Sequence, residues 1–186
     1  LSLNSEGQQE DLHALQALGK DLFNNLEAEF FTLEDKNLSS ISTAIENSIK
    51  HIPETVSITF CLAYFKDEAL YLFVLGEGRV IIKRGDKIGT LLEGKKENTK
   101  LNTASGLLQN GDTVILETNK FASNISEQHL SESLELSLPS DIAEALSIHM
   151  HEKGDGDQAA IIVHYQGVVK DTFEKAEDEQ DMTLAE

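Results

Sequence analysis

The chain has 186 residues, with 33 Asp and Glu against 15 Lys and Arg, a formal net charge of -18, one Cys and two Pro. That length allows one domain with a real core, while a single thiol excludes an intramolecular disulfide and no run of Cys and His has zinc-finger spacing. The acidic balance and scattered cations argue against nucleic acid as a partner, and no apolar stretch approaches the roughly twenty residues that span a bilayer, so membrane insertion by this segment is not expected.

A reducing, cytoplasmic compartment is the expectation. The opening Leu1-Ser2-Leu3 has no basic region or apolar signal core, and reads as a processed or excised piece. From Gln9 to Phe31, Leu12, Leu15, Leu18, Leu22, Phe23, Leu26 and Phe30 recur at threes and fours, which predicts an amphipathic helix. Leu38, Ile41, Ile45, Ile49 and Ile52 predict a second, ending at Pro53. Thr55 to Tyr64 alternates and is rich in β-branched and aromatic residues; with the turn Lys66-Asp67-Glu68 and the apolar run Leu70 to Leu75 it predicts a long hairpin.

Gly76-Glu77-Gly78 breaks the run before Arg79 to Lys83 resumes it, as at a bulge or sharp bend inside a sheet. A turn at Arg84 to Lys87 leads to a short strand ending at Leu92, and Gly94 to Lys100 is loop. Leu101 to Leu108 and Thr113 to Thr118 are strands on either side of the turn Asn110-Gly111-Asp112. A short helix begins at Ser126, and a clearer one begins with Pro139 at a first-turn position. Gly154 to Asp157 is loop, and Ala159 to Tyr165 is a final strand.

This order gives an α+β fold of packed antiparallel sheets with helices layered outside. Residues 1-169 form the domain. Residues 170-186 are dominated by Asp and Glu and are expected to be a disordered tail or linker.

Four stretches together resemble the PP2C-type (PPM) metal-dependent protein phosphatases. They are TVSITFCLAYFKDEALYLFVLGEGRV (Thr55 to Val80), NGDTVILETNKFASNIS (Asn110 to Ser126), the helix from Pro139 to Leu146, and Gly156 to Val163. The resemblance implies an α/β/β/α sandwich of two antiparallel sheets flanked by helices, here lacking part of the N-terminal strand region. It also implies a chemistry in which two Mg or Mn ions on carboxylates supply the nucleophilic water.

Against that pattern, ligands are missing. The place of the family's Asp-Gly-His-Gly falls at Asn4-Ser5-Glu6-Gly7, and its Ser-Asp-Gly falls at Thr118-Asn119-Lys120, a neutral amide followed by a cation. Gly-Asp-x-Arg has become Gly76-Glu77-Gly78-Arg79. Asp157 remains where a core ligand is expected, so Asp157 and Glu77 are the residues of a degenerate metal site, while Asn119 and Asn4 mark positions without a ligand. Glu6, Glu77 and Asp155 are a conceivable substitute set. Without metal, Asp157 would cap its loop or bind Arg79 or Lys120.

The expected function is a catalytically degenerate PP2C-like domain acting in signalling by binding or scaffolding a protein partner, with no cofactor. One alternative is a divergent, active Ser/Thr phosphatase using Mn or Mg. Another is a structural assembly domain of a larger, membrane-anchored protein. Cys61, between Phe60 and Leu62 with no basic neighbour, reads as core filling rather than a nucleophile. His149, His151 and His164 read as surface histidines rather than a metal cluster, since alternate residues of a helix diverge.

Overall fold

Residues 1–5, 12–95, 100–151 and 158–167 are described by the structure, a computed structural model. They form β1 (Ser2–Ser5), α1 (Leu12–Thr32), α2 (Leu38–Ile49), β2 (Val56–Lys66), β3 (Ala69–Leu75), β4 (Gly78–Arg84) and β5 (Lys87–Glu93). These are followed by β6 (Asn102–Leu107), β7 (Thr113–Thr118), α3 (Asn119–Asn124), α4 (Glu127–Ser133), α5 (Pro139–His151) and β8 (Ala160–His164). The expected acidic tail and the loop positions Asp155 and Asp157 lie outside the described residues.

The strands make two four-stranded sheets, ordered β1-β2-β3-β6 and β5-β4-β7-β8, and every pairing is antiparallel. Three apolar clusters correspond to the three interfaces of a four-layer sandwich. Leu70, Leu72, Val74, Val80, Val114 and Leu116 fill the space between the sheets. Leu26, Ile41 and Ile45 of α1 and α2 pack on Phe60, Phe73 and Leu75 of the first sheet. On the second sheet, Ile81 and Ile115 meet Phe121, Leu130, Ile142 and Leu146 of α3, α4 and α5. Period-2 alternation produces this arrangement, because odd and even positions of β7 face opposite interfaces.

Local chemistry sets several helix ends. Asn37 caps α2 by accepting from the Ser40 N–H while the Asn37 N–H donates to Ser40 Oγ, a reciprocal capping box. The helix stops at Ile49 rather than Ile52, because the Lys50 N–H already bonds back to Asn47 in a tighter turn before Pro53 is reached. Ser126 caps α4 by accepting from the His129 N–H.

Three sequence expectations change. Phe23 is not part of the buried stripe of α1; Leu22 and Leu26 face the core four residues apart, and Phe23, about 100° around the helix, is 53% exposed. A strand, β1, stands at the start of the chain and pairs with β2 from Ser2 opposite Thr59 to Ser5 opposite Val56. Gly76-Glu77-Gly78 is not a bend within one sheet: the chain leaves the first sheet at Leu75 and enters the second at Gly78. The bulge lies instead between β4 and β5, at Val80 and Ile81.

The crossing is tight. Gly76 has φ +68, and a Cβ there would overlap the carbonyl oxygen of Ile58 in β2. The Gly78 N–H donates to the Gly76 carbonyl at 3.0 Å, and the Gly94 N–H donates to the Gly78 carbonyl at 2.9 Å. A Cβ on Gly94 would in turn overlap the Gly76 carbonyl oxygen.

Candidate functional site

The crossing places several of the sequence-derived positions at one end of the sandwich. Gly78 pairs opposite Thr118, Arg79 lies between Glu93 on one neighbour and Glu117 on the other, and Glu117 lies opposite Ala160. A row Glu93, Arg79, Glu117 therefore runs across β5, β4 and β7 on the face that carries α3. Beside it is a cleft of roughly 410 Å³ lined by Glu77, Arg79, Glu93, Lys95, Asn119 and Ser123, among others.

The structure thus brings Glu77 and Asn119 to one cleft, together with the cations Arg79 and Lys95. Asn4 stands in β1 opposite Ser57, one pair from the Leu3–Ile58 pair, and Ile58 is the residue against which Gly76 packs. Asp157 lies outside the described residues. The two residues that follow it are held at this end: Ala159 exchanges hydrogen bonds with Thr118, its N–H donating to Thr118 Oγ1 and its carbonyl accepting from the Thr118 N–H. Gln158 Oε1 accepts from Asn124 Nδ2 at 2.9 Å.

Sequence reasoning missed Glu117. Its side chain is 1% exposed, and Oε1 accepts from Arg79 Nε, while Oε2 has no hydrogen-bond partner. Burial pushes the Glu117 carboxyl up; the hydrogen bond and charge of Arg79 pull the other way, the Glu93 charge adds to the rise, and the net shift is upward. The signal in the sequence was an acid inside Val114-Ile115-Leu116-Glu117-Thr118, since a carboxylate in an apolar strand needs a cationic neighbour. Finding that neighbour required the β4–β7 register.

Cys61 is core filling, as its neighbours suggested. A Cβ on Gly78 would overlap its sulfur, the S–H donates to the Glu117 carbonyl at 3.6 Å, and burial raises the thiol pKa to about 11. Such a thiol is a poor nucleophile near neutrality. His149 and His164 make different contacts, and the side chain of His151 lies outside the described residues. The His149 ring stacks on His129 with centroids 3.9 Å apart, which makes it an interhelical contact between α5 and α4 rather than a loose surface group. His164 Nδ1 is 3.1 Å from Thr113 Oγ1.

At the far end of β4, Arg84 makes a two-pronged contact with buried Asp112, Nε to Oδ1 at 2.8 Å and Nη2 to Oδ2 at 2.7 Å. Asp112 Oδ2 also accepts from the Gln109 N–H, which ties the turn before β7. Burial acts upward on the Asp112 carboxyl, but the Arg84 hydrogen bonds, the Gln109 N–H and the Arg84 charge together hold it below its ordinary value.

These two carboxyls give stability opposite pH dependences. Asp112 contributes above its ordinary value of about 3.9, and that contribution is lost as pH falls through its lowered folded value. Glu117 behaves inversely: its contribution is complete below about 4.3 and is lost as pH rises through the raised folded value. Urea unfolding across pH should therefore show Asp112→Asn flattening the acid limb, and Glu117→Gln removing the decline above the ordinary Glu range. Unchanged slopes in both variants would contradict these assignments.

Among the described residues no group of three or more His, Cys, Asp or Glu is placed to hold a metal ion. The described donors at the cleft, Glu77 and Glu93, share it with two cations and the neutral Asn119. That set does not fit a pair of hard dications, which need several oxygen anions to offset their mutual repulsion. No step of a reaction is assigned to it.

No protein-family model matches the chain, and no curated protein matches it. Solved structures do. The fold is that of the PP2C-type (PPM) Ser/Thr phosphatases, an α+β sandwich of two antiparallel sheets between helices. The chain is similar to the serine/threonine phosphatase PstP/Ppp of Mycobacterium tuberculosis, with a TM-score of 0.69 at 10% identity over 88% of this chain and 92% of that one. PppA, described as a key regulatory component of T6SS in Pseudomonas aeruginosa, matches at 0.67 and 11% identity, over 86% of this chain and 82% of that one. The phosphatase domain of the cell fate determinant SpoIIE from Bacillus subtilis matches at 0.53 and 15% identity, over 88% and 78% respectively.

Proposed function

We propose that this chain is a catalytically degenerate PP2C-like domain that works by binding a protein partner, as a regulatory or scaffolding part of a signalling system in a reducing, cytoplasmic compartment. One observation carries this reading: at the junction of β7 and α3 the chain reads Thr118-Asn119-Lys120, and Asn119 lines a cleft that also holds Arg79 and Lys95. A neutral amide beside cations opposes capture of a dication and so of the nucleophilic water it would activate. The pairing of Arg79 with the buried Glu117 supports the same reading, because that guanidinium is already engaged by a carboxylate of its own chain.

Hydrolysis of p-nitrophenyl phosphate by the full chain in millimolar Mn tests it. No metal-dependent turnover is expected, and none in Asn119→Asp, because one restored carboxylate leaves Asn4 and Lys120 unchanged. Metal-dependent turnover abolished by Asp157→Ala would instead support the active alternative, with Glu77 and Asp157 as ligands.

A further inference from the structure

The sandwich has a second opening, at the end of β4 away from the cleft. β5 is outermost in one sheet and β6 in the other. Between them runs a groove of about 480 Å³ whose lining includes Leu70, Leu72 and Ile82. Small residues at inward positions of both edge strands keep it open. Gly89 sits opposite Ile82, Ala104 opposite Leu72 and Gly106 opposite Leu70. A Cβ on Gly89 or on Gly106 would meet nothing within 4 Å.

Among the described strands, none covers the outer edge of β6. Its sequence Asn102-Thr103-Ala104-Ser105-Gly106-Leu107 has no charge and no Pro, and its register with β3 is unbroken. Leu107 at its end is 70% exposed. Sheet edges are ordinarily blunted by charges, Pro, bulges or a covering segment. Across the groove β5 has such devices, in Lys87, Glu93 and the bulge against Val80–Ile81. β6 has none.

One end of the groove carries a cation, Lys87, in a chain whose net charge is -18. Arg84 lines the same end, but it is held by Asp112 and its Nη2 donates to the Leu107 carbonyl at 2.9 Å, which occupies the last carbonyl of β6. A small apolar molecule would fill the groove but leave the remaining outward N–H and C=O groups of β6 to water. An extended chain meets both needs.

We infer that the groove between β5 and β6 receives an extended segment of a partner protein, added as a strand along β6, with alternate apolar side chains in the groove and an acidic residue at the Lys87 end. Main-chain pairing supplies affinity and the groove supplies selection for every second side chain. The site is separated from the Glu77–Asn119 cleft by the length of β4, about 20 Å. It deepens the binding role proposed above but does not require that the cleft be inactive.

Panning a phage-displayed library of random dodecapeptides on the full chain tests the inference, followed by amide exchange with the enriched peptides as probes. The expected peptides alternate apolar residues and carry Asp or Glu toward one end. They should protect the β6 amides and bind at least tenfold more weakly to Lys87→Glu, an exposed change, and to Gly106→Val, which fills open space. Four results would each overturn it: no enrichment, protection confined to other segments, binding that neither variant alters, or a dimer in sedimentation equilibrium that Gly106→Val dissociates, which would make the occupant a second copy. Because none of these readouts uses phosphatase turnover, failure here is separable from failure of the degenerate-enzyme reading.

Discussion

Replacing Gly76 by Ala is expected to destabilise the chain by at least about 3 kcal/mol, enough to leave many domains of this size unfolded. Two independent costs combine. The residue has φ +68, in a region that L side chains resist, and the added methyl would overlap the Ile58 carbonyl oxygen, which is backbone and cannot rotate aside. Relief would require β2 to move away from the crossing, and β2 is paired with β1 on one side and β3 on the other. Gly85→Ala is the control: that glycine also has positive φ, 56, but nothing lies within 4 Å of a Cβ there. It should lose about 1 kcal/mol. Equal losses at the two positions, read by urea unfolding, would mean that the close passage between the sheets is not what requires glycine.

The second large effect concerns the pair beneath the cleft. Arg79→Ala should cost about 3 kcal/mol, because it leaves Glu117 inside the protein with neither oxygen paired; Oε2 already lacks a partner. The double change Arg79→Met with Glu117→Leu should recover most of that loss, since a well-packed apolar pair avoids the desolvation of both charges. This reversal separates charge burial from simple loss of packing. If the double variant is less stable than Arg79→Ala alone, the pair contributes through geometry that methionine and leucine cannot reproduce, and the electrostatic account of Glu117 fails.

The parts of the fold readable in the sequence are those with a long periodic signal. β2 and β3 alternate over many residues around Asp67, whose φ of 54 marks the turn, and β7 has six consecutive buried positions. α5 begins at Pro139, where a missing N–H costs nothing. β1 and α3 were not readable, because four residues cannot show a strand period and Asn119–Asn124 buries Phe121 alone. The crossing at Gly76 was visible as a break, yet a bend within a sheet and a passage between sheets require the same glycines locally. Only packing against Ile58 and Gly94 distinguishes them.

The site was legible in the same uneven way. Glu77 and Asn119 could be placed together through a resemblance to a known pattern of turns, and the structure does line one cleft with both. The Arg79–Glu117 pair could not, because strands β4 and β7 are separated in the chain by β5 and β6 and no local pattern fixes their register. The groove beside β6 left no signature at all; it arises from Gly89 and Gly106 facing each other's sheet, a relation between two edges.

The function proposed here rests on whether this end of the sandwich can hold dications. Isothermal titration of the full chain with MnCl2, at neutral pH and moderate ionic strength, measures that directly. No saturable uptake is expected, with heats no larger than those of Asp157→Ala. Uptake of two ions per chain at micromolar affinity, abolished by Asp157→Ala, would contradict it.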